Sequence, residues 1–190
     1  MSRAQDYKRT IKLEKECDAL YAKAGFDISR VRDTALQKRG VDIYLNNWVV
    51  DEKAAIQYWN KDLQTYCFEC STLNNKDKEG WLFQKNSLTT HYSLVYVRAK
   101  DEDLDDITSL EILIIPKKSV LSYLKVLGLD NRKKVEGVLS GYGRRDGSRI
   151  ECEVSERVKI VQSLRFKNAP INIIINKQLL YSWAHRVMCL

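Results

Sequence analysis

Asp42, Asp51 and Lys53 are the residues whose types and spacing most directly suggest chemistry. They lie in a segment that predicts a β-hairpin, with strands over residues 41–45 and 48–53. An Asn-Asn dipeptide joins the strands, and Asn tolerates the left-handed backbone that two-residue turns require. Counting outward from this turn places the two aspartates opposite each other. Strand alternation adds Lys53 to the same face and turns Glu52 away.

Two carboxylates on one face repel each other, so the pattern suggests that they bind a positive charge that the sequence itself does not supply. Paired carboxylates suit a hard divalent cation such as Mg²⁺, which keeps several of its own waters. Such an ion activates a bound water, and a neighbouring lysine can orient that water or stabilise a charged transition state. The alternative is a surface hairpin on which Asp51 and Lys53 are only same-face neighbours. A register change of one residue would remove the pairing of Asp42 with Asp51.

Length and composition predict a single domain that spans residues 1–190, and the helices and strands given below, with the resemblance that follows, make it an α/β domain. The chain has 190 residues, of which 44% are hydrophobic and 30% charged, as is ordinary for a globular protein. Five scattered cysteines favour a reducing compartment over a disulfide framework. The N-terminus lacks the apolar segment of a signal peptide, and no apolar run is as long as a membrane span. We therefore expect a cytoplasmic protein without membrane contact.

Positive charge is concentrated in the second part of the chain. From Pro116 onward there are 15 Lys and Arg residues against 6 Asp and Glu residues, a balance of +9 that leaves −2 for the first part. An acidic half over residues 1–115 and a basic half over residues 116–190 suit a protein that holds a cation and faces a polyanion. The basic residues predicted to contact phosphates are Arg132, Lys133, Lys134, Arg144 and Arg145. The alternative is a solvated surface.

Residues 4–24 predict a helix that precedes the hairpin and ends at Gly25. Its apolar residues recur at helical spacing and are Tyr7, Ile11, Cys17, Tyr21 and Ala24. Glu14 falls inside this stripe, and Asp18 lies at its edge. A carboxylate is costly to bury unless it is paired or binds a metal, so Glu14 is either a metal ligand or a partly exposed rim residue.

The remaining elements are predicted from periodicity and from Gly and Pro positions. Residues 26–39 read as an irregular connection, and residues 54–60 as a short helical segment containing Gln57. Glu69 is a lone charge in a predicted strand over residues 63–73. Residues 81–83 and 92–97 are predicted to form two further strands or one strand with an interrupted start, and strands are also predicted at residues 111–115, 151–161 and 171–175. Further helices are predicted at residues 119–129, 131–139 and 177–187, and residues 141–148 read as a loop.

Other arrangements that carry chemistry are weak in this sequence. The spacing of Cys67 and Cys70 is that of half a zinc site, but strand alternation would turn the two thiols to opposite faces. His91 and His185 are isolated in the sequence and accompany no nucleophile. No phosphate-binding glycine loop of the Walker type is present, so nucleotide hydrolysis is not indicated.

The hairpin motif resembles the core motif of the PD-(D/E)XK nuclease superfamily. Asp42 is followed by eight residues and then by Asp51-Glu52-Lys53, and a helix carrying a glutamate precedes it. Residues 37–60, with 65–69 and Gly80-Trp81, also resemble a group of uncharacterised prokaryotic proteins assigned to that superfamily. The resemblance covers about the first half of the chain. It implies a restriction-endonuclease-like fold, in which a helix, a hairpin and a further strand build a mixed central β-sheet flanked by helices.

The resemblance also implies roles for individual residues. Asp42 and Asp51 would bind Mg²⁺ or Mn²⁺, Lys53 would be the catalytic lysine, and Glu14 would complete the metal shell. Glu69 and Gln57 would be accessory residues of the same pocket. The proline that names the motif is absent, because Val41 precedes Asp42. The motif is short and degenerate, so its presence alone does not establish catalysis.

Together these features predict a metal-dependent nuclease that hydrolyses phosphodiester bonds in DNA, with the basic half holding the phosphate backbone. One alternative is an inactive nucleic-acid-binding module. Another is an interaction protein of a defence or mobile-element system on the same fold. A two-fold homodimer would suit the cutting of both strands of a duplex, although nothing in the sequence identifies a dimer face.

Overall fold

The structure, a computed structural model, describes residues 3–71, 79–101 and 103–190. Within them the chain forms five α-helices and eleven strands. The helices are α1 (Arg3–Lys23), α2 (Thr34–Gln37), α3 (Lys117–Val126), α4 (Arg132–Tyr142) and α5 (Lys177–Trp183). The strands are β1 (Ile28–Arg30), β2 (Ile43–Leu45), β3 (Trp48–Ala54), β4 (Thr65–Ser71), β5 (His91–Ala99), β6 (Ile107–Pro116), β7 (Arg144–Asp146), β8 (Arg149–Ser155), β9 (Val158–Ser163), β10 (Ile171–Asn176) and β11 (Arg186–Cys189). The predicted α/β class is therefore confirmed.

The strands form two sheets. A mixed six-stranded sheet has the order β1-β2-β3-β5-β6-β11, and only the β3–β5 pair is parallel. A five-stranded sheet has the order β4-β10-β9-β8-β7 and is antiparallel throughout. The chain divides into two compact units. The first unit comprises residues 1–63, 88–117 and 184–190 and holds the mixed sheet, and the second comprises residues 64–87 and 118–183. Whether the chain behaves as one domain stays a prediction.

In the first unit, α1 supplies the core of one sheet face. Leu13, Cys17, Leu20 and Tyr21 of this helix are buried in a cluster with residues of the hairpin, β5 and β6. The predicted apolar stripe is wrong at its N-terminal end, because Tyr7 is 67% and Ile11 45% exposed. The buried side of α1 follows the leucines instead.

In the second unit, the antiparallel sheet packs against helices. Ile171, Ile173 and Ile175 alternate inward along β10, as expected for a strand with one buried face. Val135 and Leu139 are the buried residues of α4, which contacts β4, β8 and β9. Asn131 caps α4, because its side-chain oxygen accepts a hydrogen bond from the backbone N–H of Lys134.

Several predicted elements are wrong. The connection over residues 26–39 contains β1 and α2, whose cap is the Asp33 side chain. The strand predicted at 151–161 is two strands that reverse between Ser155 and Val158, and the loop predicted at 141–148 contains β7. The helix predicted at 177–187 ends at Trp183, where the chain enters β11. Residues 81–83 form a turn, and residues 72–73 of the strand predicted at 63–73 lie outside the described residues.

Three of these errors share a cause. Short strands such as β1, β7 and β11 are formed by pairing with distant partners, and their own sequences carry too few residues for a periodic pattern.

In the described part of the chain, no helix has the length and apolar character needed to cross a membrane.

Candidate functional site

The hairpin has the predicted register. Leu45 pairs with Trp48 and Ile43 with Val50 across a turn formed by Asn46 and Asn47. Asn46 adopts a φ of 53°, the left-handed conformation for which Asn is suited. Its side-chain oxygen also accepts a hydrogen bond from the backbone N–H of Asp27 at 2.8 Å, which anchors the turn to the segment before β1. The prediction of a two-residue Asn-Asn turn is confirmed.

Asp42, Asp51 and Lys53 come together on one face of this hairpin. Asp51 is buried, with 2% of its surface exposed, and forms an ion pair with the ammonium of Lys53. The Asp42 carboxylate accepts a hydrogen bond from the backbone N–H of Glu52 at 2.9 Å. Burial, reinforced by a hydrogen bond to Asp51, raises the pKa of Asp42 to about 7, and Lys53 only partly opposes this. The surroundings of these two carboxyl groups therefore favour one negative charge on the pair over two.

Lys117 is a second cation near these carboxylates that sequence reasoning missed. The β3–β5 register places Tyr92 beside Asp51, and the Lys117 ammonium lies 5.9 Å from the centroid of the Tyr92 ring. Burial lowers the pKa of Lys117, while the charge of Asp51 opposes that shift. Lys117 directly follows Pro116 at the end of β6. No local pattern indicates this position, because it depends on the order β3-β5-β6 in the sheet.

Glu52 points to the opposite face, as strand alternation predicts. Its carboxylate accepts a hydrogen bond from the Tyr21 hydroxyl at 2.6 Å and from Arg30 at 3.1 Å. The Tyr21 hydroxyl also lies 2.7 Å from the buried Ser93 hydroxyl. Burial and the neighbouring Glu52 charge raise the pKa of Tyr21, so this tyrosine stays a neutral donor. Glu52 is therefore part of a structural network between α1, β3 and β5.

Glu14 joins this second network. Its carboxylate lies 2.9 Å from Arg32 and 3.9 Å from Arg30, and Arg30 also binds Asp18 at 2.9 Å. Burial works against the charge of Arg30, but Glu52 and Asp18 outweigh it and raise the pKa of Arg30. The expectation that Glu14 lies beside Asp42 and Asp51 is not met, because α1 packs on the face to which Glu52 points.

The two residues predicted to be accessory lie on other elements than the hairpin. Gln57 is exposed in a 3₁₀ turn, Ile56–Tyr58, beyond the end of β3. Glu69 lies on β4, which pairs with β10 in the sheet of the second unit. The expectation that the Glu69 strand follows the hairpin in the same sheet is wrong, since β5 lies next to β3. Their predicted accessory roles remain untested predictions.

The predicted phosphate-binding residues fall into two kinds. On α4, Arg132 pairs with Glu136 and Lys134 with Asp130, each at 2.7 Å, while Lys133 is exposed. Arg144 and Arg145 lie on β7, where both are exposed. Two of the three α4 cations are therefore paired with nearby carboxylates, whereas among the described residues neither Arg144 nor Arg145 joins an ion pair.

His91 and His185, isolated in the sequence, meet around Trp48. The Trp48 ring stacks on His91 with centroids 4.3 Å apart, and the two histidine rings are separated by 5.4 Å. The contact depends on β11, since the backbone N–H of His185 donates to Ile114 of β6 at 2.8 Å. Pairing in the sheet places Trp48 and His91 on the same face as Val50 and Glu52, away from Asp51.

The capacity of the described residues to hold a metal is limited. Within residues 3–71, 79–101 and 103–190, no three His, Cys, Asp or Glu side chains converge in a way that could hold a metal ion. Asp42 and Asp51 remain as a pair of carboxylates. Mg²⁺ is commonly bound through one or two carboxylates, with waters and substrate oxygens as its other ligands, so the pair fits such an ion in ligand type and number.

Comparison of the chain with family models, curated proteins and solved structures gave no match.

Proposed function

We propose that this chain is a metal-dependent nuclease with a restriction-endonuclease-like fold that hydrolyses phosphodiester bonds in DNA. The observation that carries the proposal is the pairing of Asp42 with Asp51 beside Lys53 on one hairpin face. A buried Asp51 beside a half-buried Asp42 whose pKa is raised is expected where a proton or a metal ion offsets their repulsion. Structural ion-pair networks also shift pKa values, so the test must detect the ion and the reaction separately.

In this proposal Asp42 and Asp51 hold Mg²⁺ or Mn²⁺. The bound ion would supply a water of lowered pKa and offset charge on a phosphate oxygen. Hydrolysis adds the oxygen of water to phosphorus, breaks the bond to the leaving sugar oxygen and returns a proton to that oxygen. Lys53 is held beside Asp51, where it would orient the attacking water or stabilise the charge that develops on the phosphate. Lys117 would add a second cation for the same phosphate.

The hydrolysis test uses purified protein with plasmid DNA and short single strands in Mg²⁺, Mn²⁺ or EDTA. We expect cleavage that requires a metal and falls at least about 100-fold in Asp51→Asn and in Lys53→Met. The matched controls are Asp62→Asn and Lys61→Met, which change exposed residues of the same unit and should retain full activity. Cleavage that persists in EDTA, or in both site variants, would overturn the proposal.

A binding measurement separates the metal site from catalysis. Mn²⁺ titration followed by electron paramagnetic resonance should detect one site that is lost in Asp42→Asn and Asp51→Asn but retained in Glu14→Gln, because Glu14 contacts arginines rather than the aspartates. If the wild-type protein binds neither Mn²⁺ nor Mg²⁺, it is not a metal-dependent nuclease. DNA retention without cleavage would then favour the inactive binding module.

A further inference from the structure

Outside the β2–β3 hairpin, the surface that most strongly suggests a further function is one end of the five-stranded sheet. The turn between β7 and β8 lies there beside the loop between β9 and β10. Arg149 pairs with Ser163 in the sheet, and the backbone N–H of Leu164 donates to the carbonyl of Ser148 at 2.8 Å. We call this surface the basic end, and it consists of residues 144–149 and 163–170.

The basic end has a large excess of positive charge. It contains five cations, Arg144, Arg145, Arg149, Arg165 and Lys167, and one carboxylate, Asp146. Asp146 is opposite Arg149 across the turn, yet among the described residues no ion pair joins Arg144, Arg145 or Arg149 to a carboxylate. All five cations are exposed.

Charge counts for the whole unit support the same conclusion. The second unit has 16 Lys and Arg residues against 9 Asp and Glu residues, so it carries the entire formal charge of +7. On α4 the excess is reduced by ion pairs, as described above. At the basic end Arg144, Arg145 and Arg149 are exposed and join no ion pair among the described residues, which makes this surface the strongest candidate for polyanion contact in the unit.

An aromatic side chain at this surface indicates which class of polyanion it binds. Phe166 is 43% exposed, and the Arg165 guanidinium lies 4.7 Å from the centroid of its ring. Exposed aromatic rings beside arginines stack on nucleic-acid bases, whereas the bases of a duplex are already stacked on each other.

We propose that the basic end is a binding site for single-stranded nucleic acid. Arg144, Arg145 and Arg149 contact the phosphates, and Phe166 with its stacked Arg165 receives a base. The cations of α4 contribute little, in contrast to the sequence-based expectation that treated both groups alike. The site does not depend on metal or on hydrolysis, so it goes beyond the proposed nuclease activity.

Binding is tested by fluorescence anisotropy with labelled 15-nucleotide DNA and RNA single strands and a matched DNA duplex, all in EDTA. The protein should bind at least one single strand more tightly than the duplex. In Arg144→Gln/Arg149→Gln we expect roughly 10-fold weaker binding. We also expect the slope of log affinity against log salt to fall by about 1.4, for two lost phosphate contacts.

Two further variants distinguish binding at this site from nonspecific electrostatic attraction to nucleic acid. Phe166→Ala should weaken single-strand binding by about 5-fold or more and leave duplex binding unchanged. The matched charge control Lys133→Gln/Lys134→Gln should stay within about 2-fold of the wild-type protein. The proposal is overturned if the duplex binds as tightly as the single strands or if Phe166→Ala has no effect. It is also overturned if Lys133→Gln/Lys134→Gln weakens binding as much as Arg144→Gln/Arg149→Gln does.

The outcome is independent of the nuclease proposal. Asp51→Asn, which should abolish cleavage, is expected to retain full single-strand binding. Loss of binding in Arg144→Gln/Arg149→Gln with Mn²⁺ binding intact would assign the two activities to different residues.

Discussion

The two compact units differ in their net charge and in the exposure of their charged side chains. The first has 16 basic and 16 acidic residues and is formally neutral, whereas the second has 16 and 9 and carries the excess. In the first unit, the buried Asp51 pairs with Lys53, and Glu52 and Arg30, each with 10% of its side chain exposed, pair with each other on the opposite face. In the second unit, Arg144, Arg145 and Arg149 are exposed. Buried charges require partners to offset their lost hydration, and exposed ones remain free to meet a partner from solution.

The comparison predicts that equal changes of charge have very unequal effects on stability. Arg30→Met leaves Glu52 buried without its cation, because both side chains are only 10% exposed in their ion pair. We expect a loss of about 3–5 kcal/mol in the free energy of unfolding, measured by urea denaturation. The control Arg149→Met, at an exposed position, should change it by less than about 0.5 kcal/mol. Similar values for the two variants would contradict the distinction between the units.

The stability of the second unit is expected to depend on the close approach of backbone segments rather than on buried charges. A Cβ at Gly80 would lie 2.3 Å from the carbonyl oxygen of Glu69 on β4, so Gly80→Ala requires the backbone to move. We expect a loss of about 1–3 kcal/mol by thermal or urea unfolding.

Gly137 provides the matched control for this change. A Cβ at Gly137, within α4, would have no atom within 4 Å. Gly137→Ala should therefore stabilise the protein by about 0.5–1 kcal/mol, because alanine loses less backbone entropy in a helix. A neutral Gly80→Ala variant would show that β4 and the turn at Gly80 do not need their close contact.

The carboxylate pair predicts a pH dependence that belongs to the first unit. The pKa of Asp42 is about 7 in the folded protein and ordinary, near 4, in the unfolded chain. Between those values the folded state keeps a proton that the unfolded state releases, so Asp42 makes stability fall as the pH rises from about 4 to about 7. Melting temperatures in EDTA should show this trend, and Asp42→Asn should flatten it. Asp62→Asn should leave it unchanged, and a trend that survives Asp42→Asn would assign it to another group.

The smallest effect is expected for the exposed ion pair at the start of α4. Lys134 and Asp130 are four residues apart and 2.7 Å from each other, and 52% of the Lys134 side chain is exposed. Such pairs contribute about 0.3–0.5 kcal/mol, so Lys134→Gln should lower the free energy of unfolding by no more than that amount. Raising the salt concentration to 1 M should remove most of the difference between variant and wild type. A loss above about 1 kcal/mol would place Lys134 with the buried charges of the first unit.

Local features of this protein were predictable from its sequence. The hairpin register, the Asn-Asn turn and the outward direction of Glu52 follow from the two-residue period of a strand and from Asn backbone preferences, and all three are confirmed. The helix before the hairpin was predicted within one residue at each end. The interactions that define these features span only a few residues, so a short window of sequence contains them.

Features that join distant segments were not predictable. Glu14 was expected beside the aspartates, but the side of the sheet that α1 covers is set by burial of its leucines and Tyr21. Lys117 was not considered, and the strand of Glu69 was expected in the first sheet. Each of these positions depends on which strands are neighbours, and strand order is decided by burial and pairing across the whole chain.

The sequence by itself determined which residues of the hairpin share a face, and thus that Asp42, Asp51 and Lys53 meet, because alternation along a strand is a property of the backbone. Only the tertiary structure decided what surrounds them. It brought Lys117 and Tyr92 to that face and joined Glu14 to Arg30 and Arg32. The physical reason is that charges select their partners by distance in the folded chain, and that distance is set by the packing of helices and strands far apart in sequence.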